Sequence, residues 1–233
     1  MSILDVFPVA RRWPPQYPDR LQLYSLPTPN GVKISIMLEE VGLPYEVHRI
    51  DFAVRDQRTP EYLALNPNGK IPAIIDPDGP DGKALALYES GAILVYIADK
   101  TRKLMPENAA QRYETLQWVM WQLSAVGPMF GQVGYFHKFE GREIKDKRPL
   151  DHYADEARKL FVVLDNRLAV RDWIMGDTFT IADIAMIGMV RNFVDYYQAG
   201  ELVGYAQFAH VQRWLAACLV RPAVARGLTI PNS

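Results

Sequence analysis

The sequence is short of the residues that most often build redox and metal centres. It contains a single cysteine, Cys218, which excludes an internal disulfide and a CxxC redox pair. Its four histidines show no spacing typical of metal ligands, so we predict no metal site. Redox chemistry at a dithiol of the chain itself is therefore excluded.

Charge imbalance and long apolar runs are missing as well. The 26 basic and 27 acidic residues are interspersed, which leaves no electrostatic footprint for a nucleic acid or an anionic membrane. No apolar run approaches the ~20 residues of a membrane span, and the region of residues 11–15 lacks the apolar core of a secretory signal. We therefore expect neither a nucleic-acid nor a membrane partner, and a cytoplasmic location.

The chain is long enough for two domains, because its 233 residues match two units of ~100 to 150 residues each. Residues 1–20 are rich in proline and arginine and predict an arm that is either extended on a surface or disordered. Residues 21–102 follow the order βαβαββα, which favours a small mixed sheet with helices packed on it. Residues 103–110 form a linker, and residues 111–233 predict an all-helical domain.

The helical half contains several distinct helix patterns. Residues 111–125 have an apolar stripe that is predicted to stop at Gly127-Pro128, and residues 150–171 predict a long amphipathic helix. Thr180 and Asp183 have the spacing of a capping box at a helix start. Two further helical segments follow, and Pro222 is predicted to end the last one.

Pro72 marks the most informative stretch of the first half, because it lies between a turn and an apolar β-branched run. Proline cannot donate into a central ladder, so we expect it in a tight turn just before a strand. A cis bond there would turn the amide and carbonyl of Ile71 outward, where an extended peptide can pair with them. Downstream, Glu89 and Ser90 open a helix whose free amides can cradle a carboxylate. Together these features predict a site for a small anionic peptide.

Motifs in both halves resemble those of a known family. They are NPNGKIPA at residues 66–73, YESGAI at residues 88–93 and GDTFTIADIA at residues 176–185. In this order and separation they make the chain resemble a cytosolic glutathione transferase. The TPNGVKI segment at residues 28–34 and GPMFGQ at residues 127–132 are similar to the Nu class. The resemblance implies a thioredoxin-like α/β N-terminal domain, an all-α C-terminal domain and a homodimer.

The resemblance also implies an activity. Members of the Nu class act as glutathione-dependent disulfide-bond reductases, with peroxidase activity on organic hydroperoxides. Their cosubstrate is glutathione, bound as one or two molecules or as glutathione disulfide in each site. Two alternatives stay open: conjugation of glutathione to electrophiles, and a non-catalytic glutathione-binding interaction module, since this fold is reused in that way.

The family pattern assigns roles to particular residues. Thr28 and Asn30 would lie beside the glutathione sulfur as catalytic residues, and Glu89 and Ser90 would take the γ-glutamyl end. A free thiol titrates near ~8.5, so a hydroxyl, an amide and a helix N-terminus beside it would favour the reactive thiolate. The other predicted glutathione contacts are Gln57, Lys70, the backbone of Ile71, Pro72 and His152.

His152 departs from the family pattern, because relatives often place an arginine of the partner subunit there. A histidine is a weaker anion contact near neutral pH, since its unperturbed pKa is ~6.5. The departure bears on the second glutathione molecule of the site.

Several of these residues also fit ordinary structural roles. Thr28 and Asn30 are typical turn and cap residues between a strand and a helix. Tyr24 and Ser25 are rival activators of the thiol, although the alternating position of Tyr24 in its strand favours a packed core tyrosine. Cys218 is expected to be a small buried hydrophobic residue.

Overall fold

The computed structural model describes residues 3–231. These residues form two compact units, one of residues 3–103 with 223–231 and the other of residues 104–222. The first unit contains a four-stranded sheet with helices, and the second is built of helices. The α/β first half and the helical second half are therefore confirmed.

The sheet of the first unit has the strand order β2-β1-β3-β4. The strands are β1 (Leu21–Ser25), β2 (Tyr45–Arg49), β3 (Ala73–Asp76) and β4 (Leu85–Tyr88). β1 runs parallel to β2 and antiparallel to β3, and β3 and β4 form the predicted antiparallel hairpin. Every residue of β1 is buried, as expected for a central strand that has helices on both faces.

Four helices accompany the strands: α1 (Pro8–Arg12), α2 (Gly31–Val41), α3 (Pro60–Leu65) and α4 (Ser90–Thr101). α1 packs on α3, and α2 packs on α4. Tyr24 of β1 and Tyr62 of α3 belong to one buried apolar cluster, which covers one face of the sheet. Short 3₁₀ turns occupy Ile3–Val6, Asp56–Arg58 and Pro80–Gly82.

The N-terminal arm differs from the prediction of an extended or disordered segment. It forms a 3₁₀ turn and α1, and Leu4 and Val9 are buried in the same cluster as Tyr24. The Arg12 guanidinium lies 2.8 Å from the Asp56 carboxylate. A helix of one turn is too short to show an apolar period, so the pattern of the sequence does not reveal it.

The second unit contains six helices in its described residues. They are α5 (Ala109–Trp121), α6 (Gly127–His137), α7 (Arg148–Leu168), α8 (Ile181–Arg191), α9 (Gly200–Val203) and α10 (Ala209–Leu219). Single π turns occupy Gln122–Val126 and Asn192–Tyr196, and 3₁₀ turns occupy Glu140–Glu143 and Tyr205–Gln207.

The predicted stop at Gly127-Pro128 is wrong. A π turn leads directly from α5 into α6, and Pro128 lies in the first turn of α6. Proline is tolerated there because the amides of a first turn have no intrahelical partner. The shifted hydrogen bonding of the π turn lets the backbone pass the proline without a loop.

The predicted capping box is confirmed. The amide of Ala182 donates to Thr180 Oγ1 at 3.2 Å, and the amide of Thr180 donates to Asp183 Oδ2 at 3.0 Å. The two side chains thereby satisfy amides at the start of α8 that would otherwise lack partners.

The last helix, α11 (Pro222–Gly227), differs from the sequence-based division. Residues 223–231 belong to the first unit, whereas the sequence assigned residues 111–233 to the helical half. Ser35 Oγ of α2 donates to the carbonyl of Gly227 at 2.6 Å. The predicted stop before Pro222 is confirmed, because α10 ends at Leu219. Pro222 then occupies the first position of α11, where its fixed φ is favourable.

In residues 3–231, no helix combines the length and the apolar character that crossing a bilayer requires.

Candidate functional site

Three loops of the first unit meet at one end of the sheet. Tyr24 and Tyr88 both pair with Ala73 in antiparallel register, so β1 and β4 end beside the residue that precedes β3, which is Pro72. The chain after β1 leads through Thr28 to α2, and the chain after β4 leads through Glu89 to α4. The residues predicted to bind a small peptide on the first unit are thus mostly brought to one edge.

The loop before α2 holds Thr28 and Asn30. The amide of Gly31 donates to Thr28 Oγ1 at 3.3 Å, so Thr28 acts in part as a helix cap, and its hydroxyl proton is not used by that bond. Asn30 is exposed and makes no side-chain cap. The ordinary structural role therefore accounts for part of Thr28 but not for Asn30.

Gly31 allows α2 to begin close against this loop. A Cβ atom at Gly31 would overlap the carbonyl oxygen of Leu26 and lie 2.6 Å from Ser25 Oγ. Only glycine fits at this approach, because backbone cannot move aside as a flexible side chain can.

Lys33 of α2 is a functional candidate that the sequence analysis missed. Its side chain is fully buried, and Nζ donates to Asn30 Oδ1 at 2.9 Å and to Ser90 Oγ at 3.2 Å. Burial lowers the pKa of the Lys33 ammonium to about 7, against the opposing effect of the Glu89 carboxylate. A lysine inside the apolar run VKISIML is the signal that could have indicated it, since lysine is almost never fully buried without a partner.

Ile71 lies in the turn before β3, and the bond from Ile71 to Pro72 is cis. The preceding carbonyl, that of Lys70, accepts from Asn66 Nδ2 at 2.6 Å and from the Tyr62 hydroxyl at 2.8 Å. Within the described part of the chain, no hydrogen bond uses the amide or the carbonyl of Ile71. Buried backbone groups are nearly always paired, so this pair of groups is a natural place for an extended ligand.

The start of α4 has an unusual backbone. Glu89 is an exposed non-glycine residue with φ of 69°, a conformation that typically costs about 1 kcal/mol or more and clusters at ligand sites. Ser90 is the first residue of α4 and is buried. The conformation of Glu89 leads the chain abruptly from β4 into α4, whose first amides lack intrahelical partners.

The remaining predicted contacts are placed differently from one another. Gln57 is half-buried, and its Oε1 has no hydrogen-bond partner among residues 3–231. Lys70 is exposed. His152 is exposed on α7 of the second unit, where its ring lies 5.2 Å from that of Tyr153. Gln57 thus has a buried acceptor that the described part of the fold leaves without a partner.

The two rival activators of the thiol, Tyr24 and Ser25, lie in the buried core. Tyr24 and Ser25 are fully buried, and burial together with the nearby charge of Glu46 raises the pKa of the Tyr24 phenol far above its usual range. Cys218 is buried and not in a disulfide. The packed-core interpretation of Tyr24 and the buried interpretation of Cys218 are therefore confirmed.

The residues that the structure describes contain no group of three or more His, Cys, Asp or Glu side chains that could hold a metal ion. The chemistry of the site described above consists of hydrogen-bond donors, acceptors and one buried ammonium group.

The comparison with protein families identifies both halves. Residues 19–99 match the glutathione S-transferase N-terminal domain, and residues 126–222 match the glutathione S-transferase C-terminal domain. The chain belongs to the glutathione S-transferase family.

Individual relatives have more specific names than the family. The chain is 37% identical to disulfide-bond oxidoreductase YfcG of Escherichia coli strain K12, over 89% of this chain and 94% of that protein. It is also similar to a crystal structure of a Burkholderia graminis glutathione transferase with two glutathione molecules bound per subunit. That match has a TM-score of 0.98 and 60% identity, over 100% of this chain and 97% of that one.

A glutathione transferase from Pseudomonas putida, with one glutathione disulfide bound per subunit, matches with a TM-score of 0.96. The two chains are 56% identical, over 98% of this chain and 99% of that one.

Proposed function

We propose that this chain binds glutathione at the meeting point of the three loops and uses the glutathione thiolate to reduce disulfides. The observation that supports it best is the unused amide and carbonyl of Ile71 beside the starts of α2 and α4. The relatives named above support the choice of ligand, since one is named a disulfide-bond oxidoreductase and two were crystallised with glutathione or its disulfide.

The residues of the first unit fit the tripeptide by chemistry. The backbone of Ile71, ahead of Pro72, would pair with the extended middle of the peptide as a short added strand does. Ser90 and the free amides at the start of α4 would bind the γ-glutamyl carboxylate, with Glu89 facing its ammonium group. Gln57 and Lys70 would supply further polar contacts.

Thr28 and Asn30 would act on the sulfur. The Thr28 hydroxyl and the Asn30 amide lie just before α2, so a thiolate placed there meets two donors and the positive end of a helix dipole. A drop of two units in the thiol pKa corresponds to roughly 2.7 kcal/mol of thiolate stabilisation.

The reaction follows from the cysteine content. Cys218 is the only cysteine and is buried, so the chain offers no dithiol. The bound thiolate attacks one sulfur of the substrate disulfide, forming a mixed disulfide and releasing the other sulfur as a thiolate, which takes a proton. A second glutathione thiolate then attacks the glutathione sulfur of the mixed disulfide. This step releases the second substrate thiol and glutathione disulfide, so two glutathione molecules are oxidised for each disulfide reduced.

Binding and turnover separate the three candidate functions. We expect calorimetry to show binding of glutathione or its disulfide, and we expect turnover with 2-hydroxyethyl disulfide to exceed that with 1-chloro-2,4-dinitrobenzene. Binding without either turnover would support the interaction module instead. Faster turnover with the chlorodinitrobenzene would support conjugation.

The double variant Thr28→Ala/Asn30→Ala tests the catalytic assignment. It should lower the reductase rate about a hundredfold, because it removes both donors to the developing thiolate, while glutathione affinity changes little. The matched control is Asn108→Ala/Thr180→Ala, which removes a threonine and an asparagine that cap helices of the second unit. Full reductase activity in Thr28→Ala/Asn30→Ala would contradict the assignment and direct attention to Tyr24.

Three finer features stay predictions. They are peroxidase activity with organic hydroperoxides, assembly as a homodimer, and a contact of His152 with a second glutathione molecule. Coupled hydroperoxide turnover, sedimentation equilibrium and the glutathione stoichiometry of His152→Ala measure them in turn.

A further inference from the structure

The side chain of Lys33 joins two parts of the proposed site. Its Nζ lies 2.9 Å from Asn30 Oδ1, at the start of α2, and 3.2 Å from Ser90 Oγ, at the start of α4. Asn30 is assigned above to the sulfur of glutathione and Ser90 to its γ-glutamyl carboxylate. A single buried amine therefore touches the groups proposed for both ends of the ligand.

The chemistry of an ammonium group fixes how its partners are turned. Ammonium is a donor only, so it engages the oxygen of the Asn30 amide and a lone pair of the Ser90 hydroxyl. The NH₂ group of Asn30 and the hydroxyl proton of Ser90 are then directed elsewhere. Both are the donors that an anionic ligand needs, one for a thiolate and one for a carboxylate.

We propose that Lys33 is a positioning residue, whose ammonium holds the Asn30 amide and the Ser90 hydroxyl so that both present donors to glutathione. The inference rests on the proposed function, since it assigns Lys33 a role in that same site. It goes beyond it by coupling recognition of the γ-glutamyl end to activation of the sulfur through one side chain.

The burial of Lys33 supports a role beyond packing. A charged amine loses hydration when it is fully enclosed, which is costly unless hydrogen bonds compensate. The apolar neighbours along α2 would fill the same volume at no such cost, as Ile36 and Met37 do. The cost of burying the ammonium is incurred where it donates to two polar groups of the proposed site, Asn30 and Ser90.

In Lys33→Met, two measurements test the two hydrogen bonds of Lys33 separately. Ultraviolet titration of bound glutathione tests the bond to Asn30, and we expect the thiol pKa to rise by about one unit relative to the wild type. Affinity for S-methylglutathione, which has no thiol, tests the bond to Ser90, and we expect about a fivefold loss. Lys33→Gln, which keeps a donor in a chain of similar length, should give intermediate values for both.

Ser35→Ala is the matched control, because Ser35 is a buried polar residue of the same helix that bonds Gly227 at 2.6 Å. It should lower stability without moving either readout. An unchanged value of either readout in Lys33→Met would overturn the proposal, since one ammonium must orient both groups. Failure of the proposed function would appear in the wild type instead, as a bound thiol that titrates like free glutathione.

Discussion

Among the described side chains of Asp, Glu, Lys and Arg, each unit buries one completely, Lys33 in the first and Asp183 in the second, and the two are enclosed differently. Asp183 accepts from the amides of Ile174 and Thr180 at 2.9 and 3.0 Å and from Trp214 Nε1 at 2.9 Å. All three of these donor residues are themselves fully buried. Asp183 therefore fixes the fold of α8 and its neighbours and has no route to a ligand.

The hydrogen-bond partners of Lys33 lie instead at the starts of α2 and α4, beside the proposed site. Asn30 is exposed, and Ser90 begins a helix whose first amides await partners. Burial of an ionisable group thus does not by itself distinguish structure from function. The comparison teaches that the position of its hydrogen-bond partners does: enclosed partners indicate a structural role, and partners at a loop edge indicate a site.

The largest effect is expected from Asp183→Asn. Asparagine replaces one carboxylate oxygen by an NH₂ group, which cannot accept a hydrogen bond. At least one buried N–H group then loses its partner, so the free energy of unfolding should fall by about 4 kcal/mol. Urea titration measures this change. The pKa of bound glutathione should stay that of the wild type.

Asp155→Asn is the control for this prediction, since Asp155 is an exposed carboxylate of α7 that pairs with Lys159 at 2.9 Å. We expect no shift of its urea midpoint. A thiol pKa altered in Asp183→Asn would break the comparison, because it would connect Asp183 to the ligand.

The two groups should also give stability opposite dependences on pH. Burial raises the pKa of Asp183 to about 6 from 3.8, against the lowering by its hydrogen bonds. Between these values the folded state binds more protons, so unfolding free energy falls as pH rises, by about 3 kcal/mol. Burial lowers the pKa of Lys33 to about 7 from 10.5, with Glu89 opposing. Above about pH 7 the unfolded state binds more protons, so unfolding free energy rises with pH.

Urea titrations across pH 4 to 10 measure both slopes. Asp183→Asn should flatten the fall between pH 4 and 6, and Lys33→Met should flatten the rise above pH 7, each leaving the other slope in place. A slope that persists in its own variant would show that another group titrates there.

The same comparison explains what the sequence could and could not predict. The capping box of Thr180 and Asp183 depends on neighbours within one helix turn, so spacing alone revealed it. The turn before Pro72 is equally local. Lys33 was missed because its partner Ser90 is distant in sequence, and because the first residues of α2 are buried on every side. In a helix buried all round, the period of the apolar residues does not show which way a lysine points, so only the apolar run around Lys33 indicated its burial.

Two predicted boundaries differ from the structure, also because the contacts that decide them are not local in the sequence. Pro128 was expected to end a helix, but a π turn lets the chain continue, and the stability of that turn depends on packing that the local sequence does not encode. α11 lies within residues 111–233, which were predicted to form the helical half, yet the hydrogen bond from Ser35 joins it to the first unit. The hydrophobic period of a sequence does not reveal contacts between residues that are far apart along the chain.

The smallest effect is expected from Tyr24→Phe, which applies the comparison to a buried polar group with no partner. The Tyr24 hydroxyl is buried and has no hydrogen-bond partner among residues 3–231, unlike Lys33 and Asp183. Its loss removes a desolvation penalty and no bond, so the free energy of unfolding should stay the same or rise by up to about 1 kcal/mol. Urea titration measures the change, and reductase turnover should equal that of the wild type. A large loss of turnover with unchanged stability would make Tyr24 the thiol activator, whereas a large loss of stability would mean that its hydroxyl is bonded in solution.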